Sequence, residues 1–324
     1  MSGSLPRAAR STSRARRRSP VALPALTALV LALASCGDST EGDDEGAAAS
    51  SSAADFPVTL TADNGEVTIE EQPAAIVSMS PTATETLFAI GAGDQVGAVD
   101  DNSNYPADAP TTDLSAFTPN AEAIVAYEPD LVVLSDDQNG IVDALESLDV
   151  PVLLLGAAED LDDAYAQMEL LGEATGHADE AADAATDVRD RIQAAVDSVP
   201  ADAAGQKVFH ELGPELYSAD SSTFIGSIYS LLGLENIADG APDATGGYPQ
   251  LSAEYIAGAA PGLIVLADTK CCGETAQTVA QRPAFGSLPA VQDGRILEAD
   301  DDIASRWGPR VADFAEAVAG TLQG

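Results

Sequence analysis

Two histidines, three cysteines and one tryptophan are all that the 324-residue chain offers for metal ligation, thiol chemistry or indole stacking. That inventory is too thin for a His-rich metal centre or a disulfide framework. No G-x-S-x-G elbow, phosphate-cradling P-loop or H-E-x-x-H pair occurs, so hydrolysis by an activated serine, phosphoryl transfer and zinc proteolysis lack their usual residues. The many Asp and Glu pairs lie in solvated, acidic stretches rather than apolar ones, where nothing would split their pKa values into acid and base roles. Binding chemistry remains. Ser305-Arg306-Trp307-Gly308-Pro309-Arg310 sets the single tryptophan beside a cation and a Gly-Pro break, outside any periodic apolar face. Tyr105, Tyr217 and Tyr248 also stand next to Pro, Gly or Ser in stretches without helical or strand periodicity. Aromatic faces with a guanidinium nearby can receive apolar rings and anionic oxygen. Tyr105, Tyr217, Tyr248, Arg306 and Trp307 are therefore expected to contact ligand.

Arg310, in a first helical turn, reads as an ion-pair partner within an acidic chain. His210 ends an apolar run and reads first as a hydrogen-bonded structural residue, second as a ligand contact. Cys271-Cys272-Gly273 follows another apolar run and should face a cleft. In an oxidising compartment these adjacent thiols can close a vicinal disulfide that stiffens the turn. No third soft ligand stands nearby to make them a metal site.

The elements that must position these residues alternate. Branched apolar runs at 75–79, 95–99, 131–134 and 152–155 are separated by helical patterns at 82–90, 120–127 and 140–148. Strands separated by single helices pair in parallel with right-handed crossovers. From Leu161 to Val199 there is only helical patterning, and the simplest reading is a helix of about 20 residues beginning at Ala178. The rhythm then resumes with strands at 207–212, 216–219, 263–267 and 295–298 and helices at 223–232, 253–259 and 309–322. The fold class is α/β, with two Rossmann-like lobes flanking one long helix.

An internal repeat supports the division. Asn120-Ala-Glu122-Ala-Ile124 with Pro129-Asp-Leu131-Val-Val133-Leu134-Ser-Asp136 recurs as Ser252-Ala-Glu254-Tyr-Ile256 with Pro261-Gly-Leu263-Ile-Val265-Leu266-Ala-Asp268, at a constant offset of 132 residues. Each copy is a capped helix with an acid in its first turn, a proline-initiated turn and a buried strand ending before an aspartate. Open parallel sheets carry their functional loops at the carboxyl ends of the strands. Those loops are 78–84, 100–105, 117–120, 135–139 and 156–159 in the first lobe, and 210–217, 247–250, 268–273 and 304–307 in the second.

Charge is uneven. Lys and Arg total 14 against 53 Asp and Glu, for a net charge of −39, which excludes nucleic acid as a partner by repulsion. Six of the arginines fall in residues 1–35, ahead of an apolar run too short to span a bilayer. This reads as a secretory signal, and Leu33-Ala34-Ser35-Cys36 resembles the lipobox of bacterial lipoproteins, in which the cysteine is lipidated. After Cys36, residues 37–55 are Ser, Ala, Gly, Asp and Glu with one Thr, a flexible tether. Domain boundaries follow: signal 1–35, tether 36–55, first lobe 56–160, interlobe helical segment 161–200, second lobe 201–324.

Ile76-Val77-Ser78-Met79-Ser80-Pro81-Thr82-Ala83-Thr84-Glu85, the Pro129–Leu134 strand, Leu171-Gly172-Glu173-Ala174-Thr175-Gly176, Gly233-Leu234-Glu235-Asn236-Ile237 and Ser305–Arg310 together resemble the substrate-binding proteins of ABC importers for iron-siderophores, haem and vitamin B12. The resemblance covers residues 56–322. It implies two lobes joined by one rigid helix, a ligand cleft between them, no catalysis and no cofactor, and a monomer anchored by lipid at the outer face of the membrane. Its partners would be a metal chelate, the ABC permease and the ATPase of that permease. It also implies docking through one exposed acid per lobe; Glu85 matches the first position, and Glu235 is the nearest carboxylate to the second. Among ligands the resemblance points first to a ferric siderophore, with cobalamin or cobinamide next and haem after them; for haem, His210 would be the candidate axial ligand to the iron. A ligand-binding sensor lipoprotein without a transporter, and a metal-cofactor enzyme of related fold, are the readings from other classes.

Overall fold

Nearly every apolar run of the sequence becomes a buried parallel strand in the computed structural model, which describes residues 56–242 and 245–323. The signal, the tether and Cys36 lie outside these residues. The first lobe opens with an antiparallel hairpin, β1 (Val58–Ala62) and β2 (Gly65–Ile69). There follow β3 (Ile76–Met79), α1 (Pro81–Ala89), β4 (Val96–Val99), α2 (Ala121–Val125), β5 (Leu131–Leu134), α3 (Ile141–Glu146) and β6 (Val152–Leu154). β3 and β5 are buried at every residue, because helices cover both faces of the sheet. Alternate side chains serve opposite faces: Ile76, Leu131 and Val133 join Leu87 on one side, while Val77, Val132 and Leu134 join Ile124 and Leu145 on the other.

A helical pair follows, α4 (Leu161–Thr175) and α5 (Ala178–Ser198). Gly176 ends α4 in the left-handed region at φ 78°, where a side chain would be strained. Gly172 has a different reason to be glycine, since a Cβ there would lie 2.3 Å from the Cβ of Ala181 on α5. The start of α4 (Tyr165, Met168) packs in the core of the second lobe and its end (Leu171, Ala174) in that of the first. α5 runs back, with Ala181 in the first core and Val188, Ile192 and Ala195 in the second.

The second lobe comprises β7 (Lys207–Glu211), α6 (Phe224–Leu231), β8 (Glu235–Asn236), α7 (Ala253–Ala259), β9 (Leu263–Leu266), α8 (Thr269–Cys272), α9 (Ala276–Gln281), α10 (Pro289–Gln292), β10 (Ile296–Glu298), α11 (Asp301–Ser305) and α12 (Val311–Leu322). The strand expected at 216–219 does not form. Leu216 has φ 67°, which breaks an extended run, and only an isolated antiparallel bridge joins Tyr217 to Gln250. The two parallel sheets have orders β4-β3-β5-β6 and β10-β9-β7-β8. Numbered within its own lobe, each sheet reads 2-1-3-4, so the sequence repeat is also a repeat of topology. In both, the order reverses between the first and third strands, where open α/β sheets place their ligands.

Candidate functional site

The reversal point of the first sheet lies between β3 and β5, and the chain leaves these strands at Ser80-Pro81 and Ser135-Asp136. Pro81 and Ser135 line a cavity of about 240 Å³ with Asn102, Phe117, Gln138 and, from the second lobe, Trp307. Phe117 is 74% exposed. Its loop was anticipated and its ring was not, although an unpaired aromatic between Ala116 and Thr118 was the available signal. Ser80 starts α1 by accepting from the Ala83 N–H, with Pro81 at the first helical position, which fixes the cavity's rim. Asp100, fully buried, accepts from the Ser103 hydroxyl, and its second oxygen has no partner among the described residues. Burial raises its pKa above the ordinary carboxylate value.

Trp307 is held from two sides. Its indole N–H donates to Gln167 Oε1 on α4 at 2.9 Å, and the neighbouring Arg306 is fixed to the first lobe. Arg306 Nη1 donates to Glu85 Oε1 at 2.8 Å and to Asn104 Oδ1 at 3.1 Å, and Nη2 donates to the Asn102 carbonyl at 3.0 Å. Within its own lobe Arg306 pairs with Asp302 at 2.8 Å. Arg310 donates from Nε to Glu85 Oε2 at 2.8 Å and from Nη2 to Oε1, and its guanidinium lies 4.1 Å from the centre of the Tyr105 ring. Arg306, Arg310, Tyr105 and Trp307 are thus brought together, and Arg310 is an ion-pair partner as its position suggested.

Glu85 requires correction. It was expected to be an exposed docking acid, yet only 3% of its surface is exposed. It is the shared acceptor of two arginines from the other lobe. A carboxylate receiving three N–H donors in a buried cluster is closed to an outside partner. Glu235 is exposed, with Lys207 4.0 Å away.

Tyr217 and Tyr248 lie on paired loops of the second lobe, where Ser218 N–H meets the Pro249 carbonyl at 3.0 Å. Both rings are about half exposed, at 45% and 49%. Burial, then the nearby Asp220, raises the Tyr248 pKa. His210 is fully buried, with Nδ1 2.6 Å from the Tyr229 hydroxyl and its ring against Phe314. Burial pushes its imidazole pKa down to about 3. It faces the core, so the structural reading holds and axial ligation does not. Cys271 and Cys272 form a disulfide in α8, whose Lys270 and Cys271 N–H groups are received by Asp301. Among the described residues no cluster of metal-ligating side chains occurs, and no helix is long and apolar enough to cross a membrane.

The second sheet's reversal point holds a buried carboxyl pair. Glu211, on the last residue of β7, receives both Nη groups of Arg282, one at 2.7 Å, and Arg282 also meets Glu274 at 2.8 Å. Asp268 follows β9 and caps no N–H of the helix it starts. Its two oxygens are buried without a donor, beside Glu211. Burial first, then the Glu211 charge, pushes the Asp268 carboxyl up to about 7.

Two sheets of one topology, a helical pair shared by both cores, and a cavity that one lobe walls and the other closes with an aromatic define a two-lobed ligand-binding protein. The chain belongs to the periplasmic binding protein family, whose profile matches residues 76–303. An uncharacterised ABC transporter substrate-binding lipoprotein of Bacillus subtilis is 30% identical over 92% of this chain and 95% of its own length. A cobalamin-binding protein of Halobacterium salinarum is 30% identical over 81% of this chain and 73% of its own. Among solved structures, a possible iron-binding periplasmic protein of Staphylococcus epidermidis superposes with a TM-score of 0.66 at 25% identity, over 78% of this chain and 100% of that one. The periplasmic vitamin B12-binding protein of Vibrio cholerae gives 0.62 at 24% identity, over 78% and 97% of the two chains, a likeness of fold.

Proposed function

We propose that this chain is the lipid-anchored, extracytoplasmic substrate-binding protein of an ABC importer and that its ligand is a neutral, amide-rich metal chelate of the corrinoid type. The observation that carries this reading is the commitment of the loop's cations: Arg306 and Arg310 are both ion-paired, with Glu85 and Asp302 supplying the two balancing charges. A ligand with several carboxylates or catecholates would meet the acids Asp100 and Asp136 at the cavity with no free guanidinium to receive it. Phe117 and Trp307 offer flat faces to a macrocycle, while Ser135 and Gln138 suit amide groups at its edge. A cavity of about 240 Å³ is below the roughly 300–1,000 Å³ of enclosed ligand pockets, so the macrocycle lies across the mouth and inserts one edge. Relatives named for cobalamin and vitamin B12 favour the same class. A ferric hydroxamate siderophore, also free of surplus negative charge, is the second reading.

For permease docking, the buried Glu85 gives way to Glu122 and Glu254. Each lies in the first turn of a capped helix, α2 or α7, and each is exposed. They occupy corresponding positions of the two repeats, which supports a matched pair of contacts, one per lobe. The test of the ligand is titration of the single tryptophan's fluorescence with cyanocobalamin, ferrioxamine and haem. Saturable quenching by cyanocobalamin alone is the expected result. Quenching by ferrioxamine alone moves the assignment to the second reading, and quenching by none rejects both.

A further inference from the structure

Glu85 is one carboxylate shared by two arginines that approach from the other lobe, and the backbone closes tightly around it. A Cβ on Gly308 would lie 3.3 Å from the Thr82 carbonyl oxygen and 3.7 Å from the Glu85 Cβ, so the loop between Arg306 and Arg310 rests directly on α1. Asn104 adds a second tie across the lobes, donating to Asp302 Oδ2 at 3.0 Å while accepting from Arg306. Glu85, Asp302, Arg306 and Arg310 together hold two negative and two positive charges. The guanidinium side chains are only 10% and 15% exposed. Such a cluster is stable only when complete, because removing one charge leaves a buried opposite charge unmatched. Trp307 lies within this loop, one residue from Arg306, and reaches the cavity wall from there.

We infer that Glu85 is a positioning residue: from the first lobe it holds the second lobe's loop 306–310, so that Trp307 is in place at the cavity before ligand arrives. Without the carboxylate, Arg306 and Arg310 repel each other and turn to solvent. The loop lifts from α1, and the indole leaves Gln167. Glu85 touches no ligand and acts through Arg306. Its consequence for affinity rests on the function proposed above, whereas its hold on Trp307 does not.

The experiment uses the sole tryptophan as its reporter, without ligand. In Glu85→Gln, with native far-ultraviolet circular dichroism, acrylamide quenching of Trp307 rises about threefold over wild type as the indole loses its shelter. Glu85→Asp keeps the charge and restores quenching most of the way. Asn104→Ala removes an exposed side chain and gives an intermediate rise; it also serves as the test if Glu85→Gln does not fold. Wild-type quenching in every folded variant overturns the inference. With cyanocobalamin added, Glu85→Gln weakens binding about tenfold, roughly 1.4 kcal/mol, while the saturated variant still supplies the permease. If the wild type binds no chelate, the proposed ligand falls and the quenching series still decides the role of Glu85.

Discussion

Gln167 receives the indole N–H of Trp307 at 2.9 Å, joining the cavity's aromatic to a helix that belongs to both lobes. The bond fixes the plane of the ring and leaves its face for ligand. Gln167→Ala orphans a half-buried donor, which costs about 1 kcal/mol of stability. The expected result is a red-shifted Trp307 emission and weaker chelate binding with an unchanged circular dichroism spectrum. An unshifted emission would mean that the ring is held by packing alone.

The Asp268–Glu211 pair makes a pH prediction. An unfolded aspartate titrates near its usual value of about 4, whereas folded Asp268 keeps its proton until about 7. The folded state therefore binds the extra proton across that window, and this site's contribution to stability is present in acid and lost as pH rises towards 7. Asp268→Asn, which donates an N–H to Glu211 at every pH, removes that term. Its melting temperature minus that of wild type should climb between pH 5 and pH 7.5, and a flat difference would disprove the retained proton on Asp268.

His210 acts in the opposite direction over an overlapping range. Its folded value of about 3 lies below the unfolded value near 6.5, so stability is lost as pH falls from 6.5 towards 3. The two buried sites partly cancel in the wild type. Asp268→Asn should consequently be more acid-labile than wild type, and His210→Gln less so; thermal melts of both at pH 4.5 measure the pair. Proton NMR of His210 should show a neutral ring at pH 5.

Docking is tested with the repeat acids. Glu122→Ala and Glu254→Ala are surface changes and should move stability by no more than about 0.5 kcal/mol. Each should reduce uptake through the permease and leave chelate affinity within about twofold of wild type. Equal uptake by the double variant would remove both acids from the interface.

The strands and the repeat were legible because burial on both faces demands unbroken apolar runs, as at Leu131–Leu134 and Leu263–Leu266. Caps at Asn120 and Ser252 follow from residue type, and both accept an N–H three residues on. The β1–β2 hairpin was missed even though Asn64-Gly65 is a turn signal, since each strand buries only one or two of its five residues. Nothing local marks Glu85 as the acceptor of Arg310, 225 residues away. A helix acid reads as solvated until the opposite lobe is brought against it. For the same reason the availability of Arg306 to ligand was overestimated, because its type was visible and its partner across the lobes was not.

The helical pair α4 and α5 changes what the internal repeat means. Two lobes of the same topology look like separable modules, yet Tyr165 and Met168 belong to one core and Leu171 and Ala174 to the other, all on a single helix. Either half produced alone would carry a stripe of alanine, leucine or valine side chains facing water. The duplicated units are therefore halves of one cooperative folding unit. Heat or denaturant should melt them in a single transition, and each lobe's marginal stability is borrowed from its twin.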